Sequence, residues 1–96
     1  MSLEIIFAPK ATETLLSITS FVENKWGSKT ANKLVEKTYK TISLISEQPF
    51  LFKASVINEN IRHALINRHS SFLYEVHPTY IAILYFWDNR QDPLFQ

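Results

Sequence analysis

The feature that most constrains this chain is the run Tyr80–Trp87, YIAILYFW, which is apolar on both of its alternating sides. In strict strand alternation, Ile81, Ile83, Tyr85 and Trp87 point one way, and Tyr80, Ala82, Leu84 and Phe86 the other. A strand of that composition needs cover on both faces. Two more runs dense in aromatic and β-branched residues precede it, Ile61–Ile66 and Phe72–Val76. Asn67–Ser71 is short and polar enough for a hairpin loop. His77-Pro78-Thr79 forms the second turn, because proline fixes its own φ and biases the residue before it away from helix. Three strands this closely spaced are expected to form an antiparallel meander.

The first half of the chain reads differently. Leu3–Phe7 is a short strand, stopped by Ala8-Pro9, and Pro9 suits the first turn of a helix. Ala11, Leu15, Ile18, Val22 and Trp26 then recur at helical spacing. Gly27, the one glycine in the sequence, follows where a left-handed C-cap is needed. Ser28 is placed to N-cap a second helix. Its apolar stripe is Ala31, Leu34, Val35, Thr38, Ile42 and Ile45, with lysines on the opposite side, and Glu47-Gln48-Pro49 ends it. Two helices with almost no linker form an antiparallel hairpin.

The expected architecture is therefore α+β over one domain, residues 1–96. It comprises an N-terminal strand, an antiparallel helix hairpin, then a three-strand antiparallel meander with the helices on one face of the sheet. Phe50–Asn60 is expected along the sheet margin, anchored by Phe50, Phe52 and Val56. Two helices shelter one face of such a sheet. The other is left for a partner, unless Phe50–Ile57 and the tail Pro93–Gln96 fold over it.

Composition narrows the chemistry. There is no cysteine, so a thiolate metal site and a cysteine nucleophile are excluded. The three histidines lack metal-ligand spacing, no Gly-rich phosphate loop is present, and no cofactor is implied. No run has the length of a signal peptide or a membrane span, so a cytoplasmic protein is expected. Net charge is +1 and the pI about 8.0, low for a domain held to nucleic acid mainly through phosphates. Residues 1–48 carry six lysines and no arginine, whereas Arg62, Arg68 and Arg90 lie in the second half with Lys53. Arginine on strands and turns suits fixed, forked hydrogen bonds.

Several segments, in order, resemble the RelE/ParE family of toxins from bacterial toxin–antitoxin pairs. They are Ala8-Pro9-Lys10-Ala11, Trp26-Gly27 and Ile45-Ser46-Glu47-Gln48-Pro49. Ile61-Arg62 with Phe72-x-Tyr74-Glu75-Val76 follows, and then Phe86-Trp87-Asp88-Asn89-Arg90-Gln91-Asp92-Pro93. The resemblance implies a small cytoplasmic toxin, neutralised by a cognate antitoxin whose tail wraps its surface and through which any DNA contact is made. RelE-like members cut mRNA on the ribosome, and ParE-like members disable DNA gyrase.

Cutting RNA by its own 2′-hydroxyl needs a base, cationic donors at the phosphate and an acid for the leaving oxygen. Arg62, Arg90 and Lys53 are the candidate cations, with His63, His77, Glu75 or Tyr85 for proton transfer. Each also has a plainer reading. Arg62 can pair with Glu75 across the hairpin, His63 can tuck against the sheet, His77 can cap its turn, and Arg90 can be held by its acidic neighbours. The chain departs from the nuclease pattern in having Lys53 alone after the second helix, and Asp88 and Asn89 where a base is wanted. The expectation is a ParE-like toxin acting by protein binding. Arg62, Arg90, Trp87 and Tyr85 are expected to contact the target, and Tyr80, Leu84 and Phe86 the antitoxin. The alternatives are a metal-independent endoribonuclease using Arg62, Arg90 and His63, and an inactive member kept as a binding partner.

Overall fold

The computed structural model describes residues 2–56 and 58–90. Its elements are β1 (Glu4–Phe7), α1 (Pro9–Trp26), α2 (Ser28–Glu47), β2 (Ile61–Leu65), β3 (Ser70–Val76) and β4 (Tyr80–Asp88). The sheet order is β1-β4-β3-β2. β2, β3 and β4 form the antiparallel meander, and β1 returns to lie parallel to β4 with Glu4 opposite Tyr80 and Phe7 opposite Ile83. The α+β order read from the sequence is the observed one.

Local chemistry sets the element ends. Pro9 opens α1 behind Ala8, whose backbone is extended, and Gly27 closes it by donating its N–H to the Glu23 carbonyl at 2.9 Å. Gly27 sits at φ 92° and ψ 168°, a region that only glycine occupies readily. It is also the residue before α2, so Ser28 is the first helical residue and not the cap. No side chain caps α2, and the positive φ of Gly27 alone turns one helix into the next. Pro49 follows the last turn of α2, where Gln48 donates to the Leu44 carbonyl.

The helices cover one face. Ala11, Ile18 and Val22 of α1 and Ala31, Leu34, Ile42 and Ile45 of α2 are buried against Phe72, Tyr74, Ile81, Ile83 and Phe86. Phe72 centres this layer, its ring 5.0 Å from Phe86 and 6.0 Å from Tyr74. Such pairs contribute about 0.5–1.5 kcal/mol each beyond their buried area. β1 pairs with only the first half of β4, and α1 completes the edge: the Phe86 N–H donates to the Thr14 hydroxyl at 2.8 Å. Trp26, counted with the helical stripe, is instead exposed at the end of α1.

The alternation expected along β4 fails at one residue. Leu73 pairs with Tyr85, but Tyr74 pairs with Ile83, so Leu84 is an extra residue in a β-bulge. The bulge shifts the parity of everything after it. Ile81, Ile83, Phe86 and Asp88 are the buried residues, and Tyr85 and Trp87 lie on the other side with Tyr80 and Ala82. Phe86 is therefore a core residue, 2% exposed, and not a companion of Tyr80 and Leu84. Two apolar faces are real, but their membership changes halfway along the strand.

Candidate functional site

The open face of the sheet is built by the strand positions that the helices do not touch. Across the register these are Ile61, His63 and Leu65 of β2, Ser71, Leu73 and Glu75 of β3, Tyr80, Ala82, Tyr85 and Trp87 of β4, and Glu4 and Ile6 of β1, with Ser71 buried between Leu65 and Trp87. Leu65, Ile6 and Tyr85 are exposed, and Leu73, Tyr80 and Trp87 are half-buried by their neighbours. His63 is exposed, where a tucked position was expected, and lies against Trp87 with ring centroids 4.9 Å apart. Tyr85 packs on the same indole at 5.7 Å. His77 stacks on Tyr80 at 4.3 Å and meets the Glu75 carboxylate through Nε2 at 3.2 Å. The result is a shelf of rings and aliphatic groups, with Glu4 and Glu75 set among them.

The described residues of the Phe50–Asn60 connection do not lie over this shelf. Ala54 bridges Arg62 at the outer edge of β2, so the segment runs along the margin as expected. Val56 is fully exposed and Phe50 largely so; neither anchors the loop in the core. Phe52, the third expected anchor, does pack against the core, and Arg62 adds a clamp from the sheet. Its Nε donates to the Glu59 carbonyl at 3.0 Å, and its Nη1 to the Phe52 and Phe50 carbonyls at 2.7 and 3.3 Å. The guanidinium also lies 4.8 Å from the centre of the Phe50 ring. Arg62 pairs in register with Tyr74, and Glu75 is opposite Ile61, so the Arg62–Glu75 ion pair considered from the sequence is replaced by this carbonyl clamp. The tail Pro93–Gln96, the other cover considered, lies outside the described residues.

Arg90 is also held by its own chain. It grips Asp88 through Nε and Nη2 at 2.9 and 2.8 Å, and its guanidinium carbon lies 4.6 Å from the centre of the Trp26 ring. Asp88 is buried and also accepts from the Ser70 hydroxyl and the Arg90 main-chain N–H. Burial pushes its carboxyl up, but the hydrogen bonds from Arg90 and Ser70 outweigh this and hold it below the usual carboxylate range. The bonds to Asp88 in turn raise Arg90, against a smaller opposing effect of burial. This cluster ties the end of β4 to the β2–β3 turn and to the end of α1.

The expected catalytic set is thus not assembled. Arg62 and His63 are consecutive in β2 and point to opposite faces, while Arg90 lies at the far end of β4 from the Arg62 register position. His69 is half-buried in the β2–β3 turn, where its carbonyl accepts from Asn89 N–H at 2.8 Å. Among the described residues, no group of three or more His, Asp or Glu side chains is placed to hold a metal ion, and no helix is long and apolar enough to cross a membrane. Ser70, which reads as turn in the sequence, lies in β3, and Glu4 of the expected first strand comes to stand beside Tyr80 because β1 pairs with β4.

No family model matches the sequence, and no curated protein does. Solved structures do match. A chain of the chromosomal ParDE TA system from P. aeruginosa is similar with TM-score 0.75 at 17% identity, over 91% of this chain and 96% of that one. The YoeB dimer from Staphylococcus aureus gives 0.64 at 19% identity, over 91% and 97%. The E. coli DinJ–YafQ toxin–antitoxin complex gives 0.63 at 6% identity, over 92% and 93%. The fold is that of the RelE/ParE-type toxins. At these identities the likeness carries the architecture, which spans nearly the whole chain in each comparison.

Proposed function

We propose that this protein is the toxin of a type II toxin–antitoxin pair, that it acts by binding a protein target, and that its cognate antitoxin covers the open face of the sheet. The observation that carries the reading is the exposed aromatic shelf of Tyr85, Trp87 and His63. Large ring side chains on a rigid sheet are the kind of anchor that dominates interface energies. Fold likeness to chains from toxin–antitoxin systems supports the class.

Target binding through protein contacts, with DNA gyrase as the ParE-like candidate, is favoured over RNA cleavage by the state of the two arginines. Both guanidiniums are already engaged inside the molecule, Arg62 by three carbonyls and Arg90 by Asp88. Tyr85 and Trp87 remain the proposed target contacts, with Tyr80 and Leu84 for the antitoxin. Arg62 and Arg90 act on that surface by holding the loop and the end of β4 that border it.

The test is induction in bacteria without an antitoxin, with plasmid supercoiling and transcript integrity followed together. Growth arrest with altered supercoiling and intact mRNA is expected. Arrest with unchanged supercoiling and codon-linked mRNA cuts overturns the protein-target reading, and no growth effect overturns the toxin assignment itself.

A further inference from the structure

The open face carries carboxylates but no cation from any strand. Glu4 of β1 and Glu75 of β3 lie on it, on either side of β4, with Tyr80 paired to Glu4 and Ala82 paired to Glu75. Arg62 is the one lysine or arginine within the four strands, and it faces the other way, into the loop clamp. Lys53 and Arg68 stand in the loops at the margin. The exposed lysines are concentrated on the helix layer instead, where Lys33, Lys37 and Lys40 surround Glu36 on the outside of α2. A formal charge of +1 thus conceals two surfaces of different character.

We infer that the segment that docks on the open face is a peptide carrying arginine or lysine among apolar side chains. This rests on the reading of that face as a docking surface and adds the chemistry of its occupant. Apolar anchors fit Leu65, Leu73 and Ala82. A guanidinium on the same segment finds Glu4, or Glu75 beside its His77 partner, for its charge, and the faces of Tyr85 and Trp87 for stacking. An acidic peptide, or the phosphates of an RNA strand, would bring like charge to Glu4 and Glu75 without a strand cation to offset it. Like-charge juxtaposition of this kind selects against wrong partners.

The test pans a random displayed-peptide library against the full chain, against Trp87→Ala, and against the double variant Glu4→Lys/Glu75→Lys, each verified as folded by circular dichroism. Peptides enriched on the parent chain are expected to combine arginine or lysine with aliphatic residues and to lose about tenfold in affinity on the double variant. They are also expected to fail on Trp87→Ala. The double variant should enrich acidic peptides in their place. Trp87-dependent peptides with no basic bias, or with equal affinity for parent and double variant, overturn the charge inference while leaving the docking face standing. Peptides that bind independently of Trp87, or no enrichment at all, overturn the docking face and the inference together.

Discussion

Arg90 closes on Asp88, two residues before it, with Nε to Oδ1 at 2.9 Å and Nη2 to Oδ2 at 2.8 Å, while its guanidinium rests on the exposed ring of Trp26. The carboxylate is buried and is the acceptor on which Ser70 and the Arg90 main chain also depend. Asp88→Asn keeps the shape but removes the charge and one acceptor. It should cost about 1–3 kcal/mol, as for hydrogen bonds made to a charged group, read as a lower urea midpoint at neutral pH. The folded carboxyl titrates below its ordinary range, so the folded state binds fewer protons than the unfolded one. Its stabilisation is therefore complete above the ordinary carboxylate pKa and fades as pH falls through the folded value. The gap between parent and Asp88→Asn should shrink in acid. A gap that holds constant with pH would show that the charge of Asp88 contributes nothing.

Arg62 makes the same kind of contribution at the other margin. Its three carbonyl acceptors all belong to the Phe50–Asn60 segment. Arg62→Ala should lower stability by about 1–2 kcal/mol, since the group is partly solvated and its loss leaves carbonyls that water can reach. The more telling readout is amide hydrogen exchange, with protection lost at Ser55, whose N–H donates to the Ile61 carbonyl at 2.7 Å, and kept in the core of β3. Protection of Ser55 unchanged in the variant would remove the clamp from the account.

Tyr74 gives a prediction at high pH. Its hydroxyl donates to the Pro49 carbonyl at 2.8 Å, joining β3 to the exit of α2. Desolvation pushes its pKa up to about 12, against a smaller opposing pull from the Arg62 charge. The folded state therefore keeps a proton that the unfolded chain gives up near pH 10. Stability is unaffected by this group below about pH 10 and falls by roughly 3 kcal/mol as pH rises through about 12. Tyr74→Phe should be less stable than the parent at neutral pH by about 1 kcal/mol, the usual net value of one hydrogen bond, should match it a little above pH 10, and should be the more stable of the two by about pH 12. Denaturant melts across that range measure both.

Much of this architecture is legible in the residues, and the failures have definite causes. Helical spacing from Ala11 to Val22 and from Ala31 to Ile45 marks the buried stripes correctly, because a two-helix layer over a sheet imposes a simple period. Ser70 and Ser71 read as turn because polarity is the turn signal, yet Ser70 is buried in β3 through a bond to Asp88 eighteen positions away. Trp26 matches the period but falls at the last residue of α1, where the core has ended. In the site, Tyr85 and Trp87 share a face, as alternation has it, but that face is opposite Ile81 and Ile83 and not the same one. Ala82 to Phe86 is apolar throughout, and a bulge within such a run leaves no mark in the alternation.

Gly27 separates a backbone constraint from a packing one. A Cβ built there meets nothing within 4 Å, so there is room for a side chain. The conformation, at φ +92°, is what an L-residue resists. Gly27→Ala should destabilise by about 1–3 kcal/mol, the usual cost of a residue held in such a region, with no change in the folded structure. If instead the variant matches the parent in thermal melts, the corner between α1 and α2 relaxes freely and the turn is not set by this residue.

The bulge at Leu84 makes the sharpest comparison available, because it decides which of two adjacent aromatic residues faces the core. Phe86 is 2% exposed and touches the rings of Phe72 and Phe7, whereas Tyr85 is 36% exposed on the open face. Phe86→Ala should cost about 3–5 kcal/mol through lost burial and the cavity left behind, enough to unfold a domain of marginal stability. Tyr85→Ala should cost less than about 1 kcal/mol, as for surface positions that lose only partial contacts. In the functional assay the order reverses: Tyr85→Ala remains folded and loses toxicity or partner binding, because an anchor ring is gone from a scaffold that is otherwise intact. Urea melts of the two variants beside a growth assay decide the point. A larger stability loss at Tyr85 than at Phe86 would mean that β4 alternates without a bulge, and the open face would then have to be redrawn with Phe86 on it.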